Sequence, residues 1–213
     1  MVLSIEDLCQ CFGVSAGTVE RWGRQGKIPA STKNGQLWFR RKDIEKWADS
    51  QNLKLDRPGR QPHSAKDQQT TLAQAFRNGQ VCRDIQGEDK TALIQNCIDA
   101  MEIIPQNFKQ DLKERILERE TAMSTGMGNG IAVPHPREPL VYLPCSAIVT
   151  CIPKTPVNFG ALDGKPVNIL FFLLSNALVH HLPLLSGLSG CLKKAGFIEN
   201  PEQLLETILG LAG

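Results

Sequence analysis

Residues 124–136 read Ser124-Thr125-Gly126-Met127-Gly128-Asn129-Gly130-Ile131-Ala132-Val133-Pro134-His135-Pro136. Three glycines alternate with other residues, a short apolar run follows, and a histidine stands between two prolines. Glycine at 126, 128 and 130 permits positive φ and close backbone approach to a ligand. Ile131–Val133 has the pattern of a short buried strand. Pro134 and Pro136 restrict the backbone on either side of His135 and keep Val133 and His135 out of helix. The reading is an imidazole held on stiff, non-helical chain at a strand end, beside a loop rich in N–H groups. That suits a ring that receives a phosphoryl group. The competing reading is a glycine-rich hairpin with a histidine at its rim.

The segments around this stretch carry a resemblance. STGMGNGIAVPH, with Arg119-Glu120 ahead of it, Phe159–Val167 after it and His181-Leu182 opening an apolar helix, resembles the phosphotransferase-system enzyme IIA domains of the mannitol/fructose and nitrogen-regulatory class. The likeness runs from about Thr71 to the C-terminus. It implies phosphorylation of His135 by a histidine-containing phosphocarrier protein, with His181 beside it. The transferring group carries spread negative charge, which Arg119 can grip through two guanidinium donors. Ser124, Thr125, Gly128 and Gly130 are the expected phosphate-binding groups. Two departures stand out. Pro136-Arg137 replaces a Gly-Arg common in the family, and Ser175–Val179 lacks the usual proline and acidic loop before the second histidine.

The first third of the chain differs in charge. Residues 1–66 hold 12 Lys/Arg and 7 Asp/Glu, a net of +5. The remainder holds 24 − 12 = 12 basic and 22 − 7 = 15 acidic residues, a net of −3. Ser4-Ile5-Glu6-Asp7 opens a helix with a box-like cap. Gly13-Val14 breaks it, and Ser15 starts a second helix, Ala16 to about Gln25. Val14, Val19 and Trp22 fall at core spacings, which leaves Ser15, Thr18, Arg21, Arg24 and Gln25 on one outward face. Asn34-Gly35 signals a hairpin, and Asp43 is read as the cap of a third helix, Ile44–Ala48. Helix, turn, helix, hairpin, helix is a winged helix-turn-helix order. It resembles the excisionase-type and MerR-type DNA-binding heads.

Between Arg21 and Lys42 seven residues are basic and none acidic. Such residues give phosphate contacts whose affinity falls with salt. Base contact is expected from Ser15, Thr18 and Arg21, and phosphate contact from Arg24, Lys33, Arg40 and Arg41. A solvated basic face on a protein–protein adaptor is the alternative. Trp22, Trp38 and Trp47 are read as core, since so small a head has little other interior.

The expected organisation is a winged helix-turn-helix domain at 1–50, a polar, Pro-containing linker at 51–70 and an α/β sandwich with a mixed sheet at 71–213. The seven cysteines are scattered, with no C-x-x-C and no zinc spacing, so no metal is expected. No nucleotide motif is present, so no cofactor is expected. No apolar run is long enough to span a bilayer, and a cytoplasmic location follows. The combined reading is a DNA-binding transcriptional regulator controlled by phosphorylation, acting as a homodimer on paired half-sites. A phosphotransfer component serving a sugar transporter and a non-phosphorylated adaptor are the rivals, so enzymatic activity is left open.

Overall fold

The computed structural model describes residues 2–33, 35–50 and 70–213. Residues 51–69 of the linker, with His63, and the hairpin residue Asn34 lie outside the described residues, as does the side chain of Lys33. The chain divides into two units, one of residues 1–68 with 138–144, the other of residues 69–137 with 145–213.

The first unit begins with β1 (Val2–Leu3) and α1 (Ile5–Phe12). Ser4 caps α1 by accepting from the Asp7 N–H at 3.1 Å, and Asp7 returns the bond to the Ser4 N–H at 2.8 Å. Gly13 ends the helix at φ 64°, a left-handed conformation that glycine adopts without steric cost. Ser15 then caps α2 (Ala16–Arg24). A hairpin of β2 (Ser31–Lys33) and β3 (Gln36–Arg40) follows, and β1 pairs with the other edge of β3. The wing is therefore a three-stranded sheet, because Val2 and Leu3 add a strand too short to show periodicity.

The last helix of this unit, α3, spans Arg41–Ser50. It starts two residues before the expected cap, so Asp43 lies in its first turn rather than capping it. The acid is favourable there beside the positive end of the helix dipole. Trp22 is fully buried and meets Phe12 edge-on at 6.3 Å, and Trp47 meets the same ring at 5.8 Å. The apolar spacing of the first two helices thus does form the core.

The second unit is an α/β sandwich around a five-stranded mixed sheet. Its elements are α4 (Leu72–Asn78), β4 (Val81–Ile85), α5 (Lys90–Ala100), α6 (Lys109–Ala122), β5 (Gly126–Gly128), β6 (Ile131–Ala132), β7 (Ala147–Pro153), β8 (Ile169–Leu174), α7 (Leu178–Ala195) and α8 (Pro201–Ala212). The strand order is β4-β7-β8-β6-β5. β4 runs parallel to β7 and β6 parallel to β8, while β7–β8 and β5–β6 are antiparallel.

All six residues of β8 are buried, as a strand covered on both faces requires. Side chains alternate between faces. Ile169, Phe171 and Leu173 pack with Ile131, Val133 and Ile148 against Leu184, Leu188 and Leu192 of α7 and Leu204, Leu205 and Ile208 of α8. On the other face Cys151 meets Cys97 of α5. α5 is fixed by an Asp89 cap onto the Ala92 N–H, and α8 by Asn200 with Pro201 at its first position.

Gly79 links α4 to β4 against β7. A Cβ there would stand 1.8 Å from the carbonyl oxygen of Ile148, a backbone atom that cannot swing aside. Gly79→Ala is expected to destabilise this unit by about 2 kcal/mol or more, read by thermal denaturation.

Candidate functional site

Three separate elements of the second unit bring their side chains together. Arg119 stands in the last turn of α6. His135 follows β6, where the chain stays tied into the sheet: Val133 N–H donates to Thr125 O at 3.1 Å, and Leu173 N–H to Pro134 O at 3.0 Å. His181 is in the first turn of α7. The two imidazole centroids lie 5.3 Å apart, and Arg119 Nε is 3.3 Å from His135 Nε2.

The proton on His135 has a definite place. Its Nδ1 is 2.8 Å from the Val133 carbonyl oxygen, which can only accept, so Nδ1 carries the hydrogen. Nε2 therefore holds the lone pair, and the Arg119 Nε–H donates to it. A second guanidinium nitrogen, Nη1, donates to Met123 O at 2.8 Å and so fixes the arginine.

Both rings are held neutral. Desolvation by burial pushes the His135 pKa below its ordinary value; the Val133 bond opposes this and the Arg119 charge adds to it. His181 is lowered to about 4, by burial first and then by His135 and Arg119. A group whose folded pKa is depressed binds fewer protons folded than unfolded, so stability is lost on acidification. Thermal stability is expected to fall as pH is lowered from about 6.5 to about 4, and His181→Gln to flatten part of that slope, in melts recorded across this range.

His180 points elsewhere. It is buried, with Nδ1 3.2 Å from Ser146 Oγ and 3.1 Å from Asn176 Oδ1. His181, not its neighbour, accompanies His135.

The glycine-rich stretch is a hairpin whose polar groups are mostly engaged. Thr125 is buried, and both its N–H and its hydroxyl donate to Glu120 Oε1. Ser124 Oγ donates to Phe159 O at 2.7 Å and accepts from the Gly126 N–H. Gly128 and Gly130 have φ of 87° and 79°. Their missing side chains make room for Asp163 and Asn168 respectively. Asp163 also accepts from the Asn129 N–H at 2.7 Å. Ser124, Thr125, Gly128 and Gly130, the residues expected to bind phosphate, all lie in this hairpin. In this conformation they build the turn that holds His135.

Glu120 is the residue whose role the spacing did not show. Buried, and 3.3 Å from Lys90 Nζ, it ties α6 to the hairpin. Its adjacency to Arg119 was the available signal.

His135 itself is only 7% exposed. Large apolar side chains of the same unit stand in solvent, among them Met123, Met127, Leu162, Leu178, Val179 and Leu182. Among the described residues no group of acidic, histidine and cysteine side chains is arranged to hold a metal ion. No helix among them is long and apolar enough to cross a membrane.

In the first unit Ser15, Arg24 and Arg40 are exposed. Arg24 lies 3.7 Å from Glu20, and Arg40 stacks over Trp38 at 5.4 Å. Arg41 starts α3 and binds Glu45 at 2.7 Å. Arg21 Nη2 donates to Thr18 Oγ1 at 3.3 Å. Thr18 does not share the open face predicted for it. It is buried, and its hydroxyl donates to Glu138 Oε2 at 2.8 Å.

The comparisons with known proteins follow the two units, except that the family model for the second also spans residues 138–144. A family model described as "Phosphoenolpyruvate-dependent sugar phosphotransferase system, EIIA 2" matches residues 74–207. The chain belongs to this family. A second model, "Helix-turn-helix domain", matches residues 2–52, so the chain joins a helix-turn-helix domain to an EIIA-2 domain.

A "Nitrogen regulatory protein" of Pseudomonas aeruginosa is 35% identical over 127 residues, 58% of this chain and 81% of that one. A "PTS system fructose-specific EIIABC component" of Bacillus subtilis is 34% identical over 126 residues, 58% of this chain but only 19% of that one. The crystal structure of nitrogen regulatory protein IIA-Ntr from Neisseria meningitidis covers 65% of this chain and 98% of that one. Its TM-score is 0.52 and its identity 27%.

Proposed function

We propose that this chain is a DNA-binding transcriptional regulator whose EIIA-2 unit takes a phosphoryl group on His135 Nε2 from a histidine-containing phosphocarrier protein. The observation that carries the reading is the convergence of Arg119 and His181 on a His135 whose tautomer leaves Nε2 as the nucleophile. The donor's P–N bond breaks as the P–Nε2 bond forms, and the donor nitrogen keeps the electron pair. Positive charge that develops on the His135 ring is shared with Nδ1–H, which the Val133 carbonyl stabilises. Arg119 gives up its bond to Nε2 and turns its donors to the phosphoryl oxygens.

DNA binding by the helix-turn-helix domain, through Ser15, Arg21, Arg24, Lys33, Arg40 and Arg41, completes the reading. One short reading helix makes few base contacts, so a homodimer on paired half-sites is the working assembly. Phosphorylation adds about −1.5 to −2 charge and is the signal. The setting is cytoplasmic, where the carrier and DNA meet.

The burial of His135 favours a second reading, an adaptor that is never phosphorylated. One experiment separates the two. The chain is incubated with a phosphorylated carrier, and acid-labile mass is sought on the peptide containing His135. A gain of one phosphoryl group supports regulation by phosphorylation. No gain, with a competent family member phosphorylated in parallel, leaves the adaptor.

A further inference from the structure

We propose that Glu138 is an internal competitor of DNA for the first turn of α2. The inference rests on the DNA-binding reading above and names how that surface is regulated.

Glu138 belongs to the same structural unit as the helix-turn-helix, through the segment 138–144. Its Oε2 accepts from Thr18 Oγ1 at 2.8 Å and lies 3.5 Å from the Ser15 amide nitrogen. Ser15 is the cap of α2, and its own hydroxyl oxygen accepts from the Thr18 N–H at 3.3 Å. Arg21 Nη2 reaches the same Thr18 hydroxyl at 3.3 Å. A carboxylate thus occupies the turn where unpaired N–H groups and the positive end of the helix dipole favour an anion.

Two facts make this more than a helix cap. First, the helix supplies its own cap in Ser15, so Glu138 is an additional anion, brought from 120 residues further along the chain. Second, it covers a residue that the helical pattern places outward: Thr18 is 3% exposed, while Ser15 and Arg24 of the same face are open. A DNA phosphate oxygen or base edge that approaches this turn needs the same donors. Two anions cannot share them, so DNA must displace Glu138. The stretch from Arg21 to Lys42 has no acid of its own, which makes Glu138 an electrostatic surrogate for the nucleic acid. It also follows His135 by three residues, with only Pro136 and Arg137 between.

The test uses the full chain with Glu138→Gln, and with Glu206→Gln as a control that removes an equal charge from exposed surface. The probe is a labelled duplex of random sequence, titrated at low salt. Glu138→Gln is expected to tighten binding about five- to tenfold, and Glu206→Gln less than about twofold. Hydrogen exchange at the Ser15 amide, measured without DNA, reads the contact itself and is expected to accelerate only in Glu138→Gln. Equal affinities for the two variants, with the wild type binding, overturn the competition while DNA binding stands. Unchanged Ser15 exchange overturns it as well, whatever the affinities. If neither the wild type nor a variant binds any duplex, the DNA reading has failed and the competition with it.

Discussion

His135→Ala is expected to lose acid-labile phosphoryl incorporation completely, and Arg119→Ala to retain it at a rate about two to three orders of magnitude lower. The difference follows from what each side chain supplies. His135 provides the only lone pair in the constellation whose tautomer is fixed by a backbone carbonyl, so without it there is no acceptor. Arg119 provides charge and orientation, and it touches the reacting nitrogen directly at 3.3 Å. Arg119→Lys is expected to recover little, because one arginine holds Met123 O and Nε2 at once through separate nitrogens, which a single ammonium cannot span. His181→Ala is expected to cost about tenfold, since it removes a neighbouring donor but leaves the nucleophile in place. Rapid-quench measurement with a labelled phosphocarrier checks all four. Incorporation surviving in His135→Ala would move the acceptor elsewhere and end this assignment.

The second large effect concerns DNA. Affinity for a duplex is expected to fall steeply with salt, and the double change Arg21→Ala plus Arg24→Ala to lower it about ten- to a hundredfold near physiological salt. Each lost phosphate contact takes close to one unit from the slope of log affinity against log salt, so a drop of about two is expected. Arg41→Ala serves as the contrast. Its guanidinium is bound to Glu45 at 2.7 Å within α3, which already offsets part of its field, and its loss is expected to move both quantities less. A salt slope unchanged in the double variant would show that α2 does not face the phosphate backbone.

Much of this molecule was legible before its coordinates, and for identifiable reasons. Trp22, Val19 and Val14 fall at helical spacing and are buried. Strong local chemistry, such as Ser4 with Asp7 and the break at Gly13, marked the ends of the first helix correctly. The convergence of Arg119, His135 and His181 was legible only through the family resemblance, because residues 119 to 181 meet across a sheet whose strand order no local pattern encodes. What the sequence could not show was where each hydrogen bond is spent. In this conformation the Thr125 amide is bound to Glu120 and the Ser124 hydroxyl to the Phe159 carbonyl, partners that no local pattern shows. Thr18 looked open because helical periodicity says nothing of a carboxylate 120 residues away.

The position of β8 in the sheet has a consequence for the order of events during synthesis. β8 sits between β6 and β7, and both parallel partnerships join strands far apart in sequence. Until Ile169–Leu174 has left the ribosome, β6 lacks its inner neighbour and β7 one of its two partners. The amino-terminal helices, built on near contacts, are complete long before then. A nascent chain therefore carries these helices, still without the segment 138–144 of their unit, well before Arg119, His135 and His181 are brought together. Ribosomes stalled short of Leu174 would hold a folded helix-turn-helix ahead of an unfinished sheet.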